Sequence, residues 1–152
     1  MIWQDTPRSS RIGTAIGAGP DGPWEVAEDP FTIREDSSDN WHLSTGPIVA
    51  LPGRDPVMFY NGARVDARWR IGWITFEANF EKATAGGLEP LIVPPPPEHR
   101  NATDIAFAAS CLVGDEAIQL YFSAEDRLLR RATDRLLAAD RGTAKLLRNC
   151  AN

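Results

Sequence analysis

An internal repeat constrains this chain more than any other feature of its sequence. Arg70-Ile71-Gly72 has a copy at Arg11-Ile12-Gly13, an offset of 59. Glu89-Pro90-Leu91 echoes Asp29-Pro30-Phe31 at an offset of 60. Tyr60 in MFYNGA matches Tyr121 in LYFSAED at an offset of 61, and Leu129 to Thr133 follow Ile71 to Thr75 at an offset of 58. A single tripeptide match would mean little, but four different motifs agree on one period. Short β-rich runs repeating at this interval describe a four-stranded blade of a β-propeller, somewhat longer than the common blade types.

The best-defined part of the repeat is Pro56 to Thr75. Val57-Met58-Phe59-Tyr60 is an apolar run of β-formers, and Trp69 to Thr75 is a second. Asn61-Gly62 tolerate positive φ, so the turn between the runs is expected from Asn61 to Ala67, charged by Arg64 and Asp66. The 12 prolines and 12 glycines suit a chain of many turns and edges.

Composition excludes several classes. The chain has 152 residues, 43% hydrophobic and 24% charged, which is globular rather than disordered. A net charge of −5 with no basic block argues against a nucleic-acid partner. No apolar run approaches the roughly 18 residues needed to span a bilayer. The opening MIWQDTPRSS has neither the basic nor the apolar region of a signal peptide. Cys111 and Cys150 lack metal-ligand spacing, and Cys111 sits in an apolar run as a small buried residue. A reducing, cytoplasmic setting fits, and no motif calls for a metal or cofactor.

The expected organisation is one all-β partial propeller domain over 1–152. Residues 1–10 have no strand before them to pair with. A blade remnant spans 1–33, with an inner strand at 11–18, a Gly/Pro turn at 19–23 and an outer strand from Trp24 to Ile33. The charged run 34–40 crosses to a full blade at 41–93. Its strands are expected at 41–50, 57–60, 68–75 and 88–93, with 76–87 a long connection. Pro94 to Pro97 cannot join a ladder and form an extended linker. The last blade, 103–133, has strands at 103–113, 117–123 and 128–133. Leu128, Leu129, Ala132, Leu136 and Leu137 also fit helical spacing. The repeat register instead assigns 128–133 to a strand, leaving a short C-terminal helix at about 134–147.

The run GPIVALPGRDPVMFYNGARVDARWRIGW, followed by EPLIVPP, TDIAFAAS and LYFSAEDRLLRRAT, resembles the C-terminal half of glycoside hydrolase family 130. That family contains β-mannoside phosphorylases and β-mannosidases, and the resemblance covers about 11–137. It implies a five-bladed propeller with a sugar site at the central axis, of which this chain supplies about two and a half blades. Family members are roughly twice as long, and their general-acid aspartate lies in an earlier blade, so no catalytic residue is assigned here. The phosphorylases carry Tyr-His-Gly where this chain has Tyr60-Asn61-Gly62. A neutral Asn61 offers no positive charge to phosphate, which favours inverting hydrolysis over phosphorolysis.

The candidate substrate-binding residues are Asp126, Asp104, His42, Asn61, Ser44, Arg64, Arg68 and Glu125. Asp126, in Ser123-Ala124-Glu125-Asp126, aligns with a family aspartate that binds the sugar at the cleaved end, a role suited to a carboxylate accepting paired hydroxyl bonds. A turn aspartate capping its own backbone is the plain alternative. His42 and Ser44 share one strand face, and Asp104 occupies the same place one blade later. Each could face sugar or tie blades together. Arg64 and Arg68 could reach substrate, whereas Arg70, repeated as Arg11, reads as an interblade ion pair. Trp69 and Trp73 share a strand face and suit a sugar platform or, more simply, the core. The expected ligand is a β-linked mannoside. The alternative function is a non-catalytic carbohydrate-binding or degenerate propeller piece. Open sheet edges predict self-association or association with missing blades.

Overall fold

The computed structural model describes residues 2–6, 9–94, 104–115 and 117–135, and among them there are strands and no helix. Strands β1 (Ile2–Thr6) and β2 (Ser9–Ile12) form an antiparallel hairpin. A second hairpin joins β3 (Thr14–Gly17) to β4 (Trp24–Ala27). The central sheet holds β5 (His42–Ser44), β6 (Ile48–Val49), β7 (Val57–Ala63), β8 (Arg70–Phe76) and β9 (Ala83–Gly86). A final antiparallel sheet runs β10 (Ala106–Val113), β11 (Ala117–Ala124), β12 (Leu128–Arg135). The β1–β2 hairpin joins the central sheet through one parallel link, Ser10 beside His42. Among the described residues no helix is long and apolar enough to cross a membrane.

Strand β7 is buried along its whole length because both of its faces are covered. Side chains alternate across a strand, so Val57 and Phe59 enter one apolar cluster while Met58 and Tyr60 enter another. The first cluster packs the central sheet against β10 and β11 through Val49, Ile71, Ala106, Ala108, Ile118 and Leu120. The second packs its opposite face against Ile12 and Phe31. Strand β8 follows the same alternation, with Ile71 on the first side and Ile74 and Phe76 on the second.

The repeat survives in the elements themselves. The starts of β11 and β7 are offset by 60, those of β12 and β8 by 58, and those of β9 and β4 by 59. Several expected boundaries move. The fourth strand of the middle unit is β9 at Ala83–Gly86, inside the expected connection, whereas 88–93 contributes one bridge, Ile92 to Ile71. The outer strand from Trp24 ends at Ala27, so the matching Asp29-Pro30 and Glu89-Pro90 pairs follow the strands rather than end them. The expected inner strand at 11–18 divides at Gly13, its halves serving different sheets. The strand at 41–50 breaks at Thr45 to Pro47 into β5 and β6, both paired with β7. Residues 2–6 form β1 and pair with β2, the strand that follows them.

Asn61 and Gly62 lie within β7, not in a turn. The positive φ of the β7–β8 turn falls on Ala67, at 55°. Gly62 is needed for close approach instead: a Cβ there would overlap Asp39. Asp134 and Arg135, placed at the start of a C-terminal helix, continue β12. The rest of that helix, most of the proline linker, Cys150 and His99 lie outside the described residues.

Candidate functional site

Four segments meet at one end of the strands. His42, which opens β5, stands opposite Ala63 at the close of β7. The β7–β8 turn carries Arg64 and Arg68, and the carbonyl of its last residue, Trp69, accepts the Ala106 amide at 2.9 Å. Asp104 precedes β10 there. Glu125 and Asp126 form the β11–β12 turn, where the Glu125 amide donates to the Ile105 carbonyl at 3.0 Å. His42, Arg64, Arg68, Asp104, Glu125 and Asp126, far apart in sequence, thus share one rim.

Asp104 is a tie between sheets. Its carboxylate pairs with Arg68 and, at 3.2 Å, with Arg70, whose guanidinium also donates to the Asp104 carbonyl at 2.9 Å. Arg70 is partly buried, and that burial, with Arg68 nearby, lowers its pKa from the usual guanidinium value. Arg70 forms an ion pair that links the central sheet to the segment opening the last one, and the Asp104 carboxylate is engaged in that link. Arg68 remains half exposed, and Arg64 is exposed.

His42 accepts the Ser10 amide at Nδ1 over 3.2 Å, which fixes an unprotonated Nδ1. Its ring stacks on Trp69 with centroids 5.6 Å apart, and Phe107 lies against Trp69 at 5.2 Å. Trp69 is thereby flanked by aromatic rings, and Trp73 packs against the first apolar cluster, so neither offers the open sugar platform considered above. Burial lowers the His42 pKa below its ordinary 6.5.

Asn61 and Ser44 are cross-strand neighbours in the interior. Asn61 is 0% exposed; its Nδ2 donates to the Thr45 carbonyl at 3.1 Å and its Oδ1 accepts the Ala108 amide at 2.6 Å. This side chain stitches the break between β5 and β6 to β10. With its donor and acceptor so engaged, it has no open face toward a ligand in this chain.

Glu125 and Asp126 have φ of 55° and 51°, and the Arg127 amide donates to the Ala124 carbonyl at 3.2 Å. Two consecutive positive φ values match the right-handed twist of the flanking strands, the geometry of a type I′ turn. Neither residue is glycine, so the conformation is strained unless the surroundings hold it, as the Glu125–Ile105 bond does. Asp126 is exposed and Glu125 half-buried at the rim.

A second polar group was missed from sequence. Arg34 donates to the Tyr60 hydroxyl at 2.8 Å and the Gly87 carbonyl at 2.9 Å, and pairs with buried Asp39 at 3.4 Å. Burial raises the Tyr60 pKa well above its ordinary value; the Asp39 carboxylate adds to this and Arg34 opposes it. The signal was present in the run 34–40, read only as a charged crossing, and in Gly62 and Gly72, whose missing side chains make room for Asp39 and Tyr60. This group lies on the face of β7 that packs against Ile12 and Phe31.

No family model matches the sequence, and no curated protein matches it significantly. Solved structures do match. A beta-1,2-mannobiose phosphorylase from Listeria innocua, in complex with beta-1,2-mannobiose, superposes at TM-score 0.59 and 17% identity over 76% of this chain and 32% of that one. A glycosyl hydrolase from Bacteroides ovatus gives 0.57 and 20% over 76% and 35%. A structure described with the GH130 family of mannoside phosphorylases, and its glycoside hydrolases that target beta-1,2 mannosidic linkages in Candida mannan, gives 0.58 and 19% over 76% and 35%. The chain spans about a third of the length of these proteins. The likeness carries the fold, and the chain has the all-β fold of part of a glycoside hydrolase family 130 protein.

Proposed function

We propose that this chain supplies part of the carbohydrate-binding wall of a protein acting on β-mannosides. The observation that carries the reading is the convergence of the β5 start, the β7–β8 turn, the β10 start and the β11–β12 turn on one rim. Propellers and other all-β enzymes present their sites at such strand ends, on loops held by a rigid scaffold. Asp126 is the principal sugar contact, because an exposed carboxylate on a fixed turn accepts paired hydroxyl bonds. Glu125, Arg64 and Arg68 border it, and His42 stands at the rim. Asp104 acts by holding Arg68 and Arg70, and Asn61 and Ser44 by holding the strands.

In this reading the units 1–33, 41–93 and 103–133 are two and a half blades of a five-bladed propeller, in a cytoplasmic setting. The reaction is inverting cleavage, with hydrolysis favoured over phosphorolysis, since the position of Asn61 offers no charge to phosphate. Inversion needs two carboxyl groups roughly 6.5–9.5 Å apart across the scissile bond. Asp104 is held between Arg68 and Arg70, and no residue of this chain is assigned a catalytic role in this reading. The second reading is a carbohydrate-binding protein without activity.

The test is a titration with a β-linked mannobiose followed by amide chemical shifts. Changes confined to His42, residues 64–69, residues 104–107 and residues 125–127 are expected. Changes elsewhere, or none at millimolar sugar, would remove the rim as the site.

A further inference from the structure

Strands β8 and β12 stand third in their repeat units and differ at one edge. Strand β8 is flanked by β7 and β9. Strand β12 pairs with β11 along its whole length, and among the described residues nothing pairs with its other edge. Such an edge presents a row of unpaired amides and carbonyls, a template for one more strand. Leu129 lies 74% exposed on β12. The sequence beyond β12 repeats the approach to β9. Glu81-Lys82-Ala83-Thr84-Ala85 match Asp140-Arg141-Gly142-Thr143-Ala144 at an offset of 59. Acid stands for acid, base for base and a small residue for a small residue, and Thr-Ala is identical. The spacing agrees too. Six residues, 77–82, separate β8 from β9, and six, 136–141, separate the end of β12 from Gly142.

We propose that residues 142–146 of this chain pair antiparallel with the open edge of β12 and continue the last sheet as its fourth strand. The β8–β9 ladder pairs Ile74 with Gly86 and Thr75 with Ala85. Offsets of 58 from β8 to β12 and 59 from β9 to the segment carry these pairs to Ala132 with Lys145 and Thr133 with Ala144. Thr143 then stands beside Thr133, as Thr84 stands beside Thr75 with the two hydroxyls 2.8 Å apart. The Gly87 amide donates to the Trp73 carbonyl, and the same step sets Leu146 opposite Arg131. Leu146 thereby shares the face of Leu129 and is its diagonal neighbour, within reach of a long side chain. A tether of six residues holds the segment near this edge at a high effective concentration, which favours it over a second copy. A strand over 142–146 takes the place of the helix expected there from local spacing. Strand β12 leaves the turn that carries Asp126, so its new neighbour also steadies that rim.

The test is nuclear Overhauser and amide-exchange measurement on the isotopically labelled full chain. Cross-strand effects between residues 131–133 and 144–146 are expected, with slowed exchange at 143–146 and no dependence on concentration. Ala144→Pro removes a ladder donor. It is expected to abolish the slow exchange in the segment and at the β12 amides that do not bond β11. Amides of β7 and β8 are expected to keep their slow exchange in the variant, which separates a lost edge strand from lost folding. Sequential amide–amide effects running through 142–147, the mark of a helix, overturn the proposal, as does fast exchange throughout that segment. Cross-strand effects found only between differently labelled copies also overturn it, and assign the edge to a second copy. So does an Ala144→Pro chain whose β12 exchange is unchanged. The wild-type contacts decide the matter even where the variant unfolds.

Discussion

The Asn61 carboxamide and the Ala108 amide nitrogen meet at 2.6 Å, across 47 residues of sequence, with no solvent on either side. One side chain therefore joins the break between β5 and β6 to the last sheet. Removing it orphans the buried Ala108 amide, at about 1–3 kcal/mol, and frees the carbonyl of Thr45, an exposed residue that water can reach. Asn61→Ala is expected to lower the unfolding free energy in urea by about 1–3 kcal/mol. A change too small to move the urea midpoint would show that water replaces both bonds.

Gly46 lies in the same break. A Cβ there would collide with the Phe59 carbonyl oxygen and approach Ala108. That oxygen belongs to a paired strand and cannot step aside. Gly46→Ala is expected to cost about 2–3 kcal/mol, against little for Gly19→Ala, where an added Cβ meets open space. Comparable midpoints for Gly46→Ala and wild type would contradict this packing.

The Asp104 pairs predict an asymmetric pair of variants. Asp104→Ala leaves the partly buried Arg70 without its ion-pair partner and is expected to cost about 1–2 kcal/mol, between the exposed and fully buried cases. Arg68→Ala removes an arginine that is half exposed and is expected to cost under about 1 kcal/mol. Equal costs would mean that Asp104 acts through Arg68 rather than Arg70.

His42 sets a pH dependence. Its folded pKa lies below the unfolded 6.5, because burial disfavours the imidazolium. At low pH the unfolded chain then binds the proton more readily, so this contribution to stability is present above about pH 6.5 and is lost as pH falls through the lowered folded value. Protonation of Nδ1 also ends its acceptance of the Ser10 amide. His42→Gln is expected to flatten the fall of the thermal midpoint between about pH 7 and pH 5. An unchanged slope would place the acid sensitivity elsewhere. Cys111 gives a complementary check: burial pushes its thiol up to about 11, so alkylation near pH 8 should be slow in the folded chain.

The legible features were those written in side-chain pattern. Alternation and β-branching announced β7 and β8, and the repeat register overruled the helical spacing of Leu128 to Ala132 in favour of β12. Strand β9 was illegible because Ala-Thr-Ala-Gly carries no apolar signal. Its conformation comes from pairing with β8, including the 2.8 Å bond between the Thr75 and Thr84 hydroxyls. Asn61-Gly62 misled for a similar reason: residues that allow a turn do not require one, and both serve close packing inside β7. Of the candidate site, the resemblance supplied Asp126 and the repeat supplied His42 and Asp104 as equivalent positions. Sequence could not reveal that two arginines neutralise Asp104, since both pairings join segments remote along the chain.

The most direct test of the central claim is sugar binding by Asp126→Asn. Asparagine tolerates the positive φ of 51° at this position, so the substitution removes charge while sparing the turn. Calorimetric or NMR titration with a β-linked mannobiose is expected to show saturable binding to the wild-type chain. The variant, with an unchanged unfolding midpoint, is expected to bind at least about tenfold more weakly, the loss of one charged hydrogen-bonding group. Equal affinity in the two proteins, or no binding by either, would contradict a sugar site at this rim.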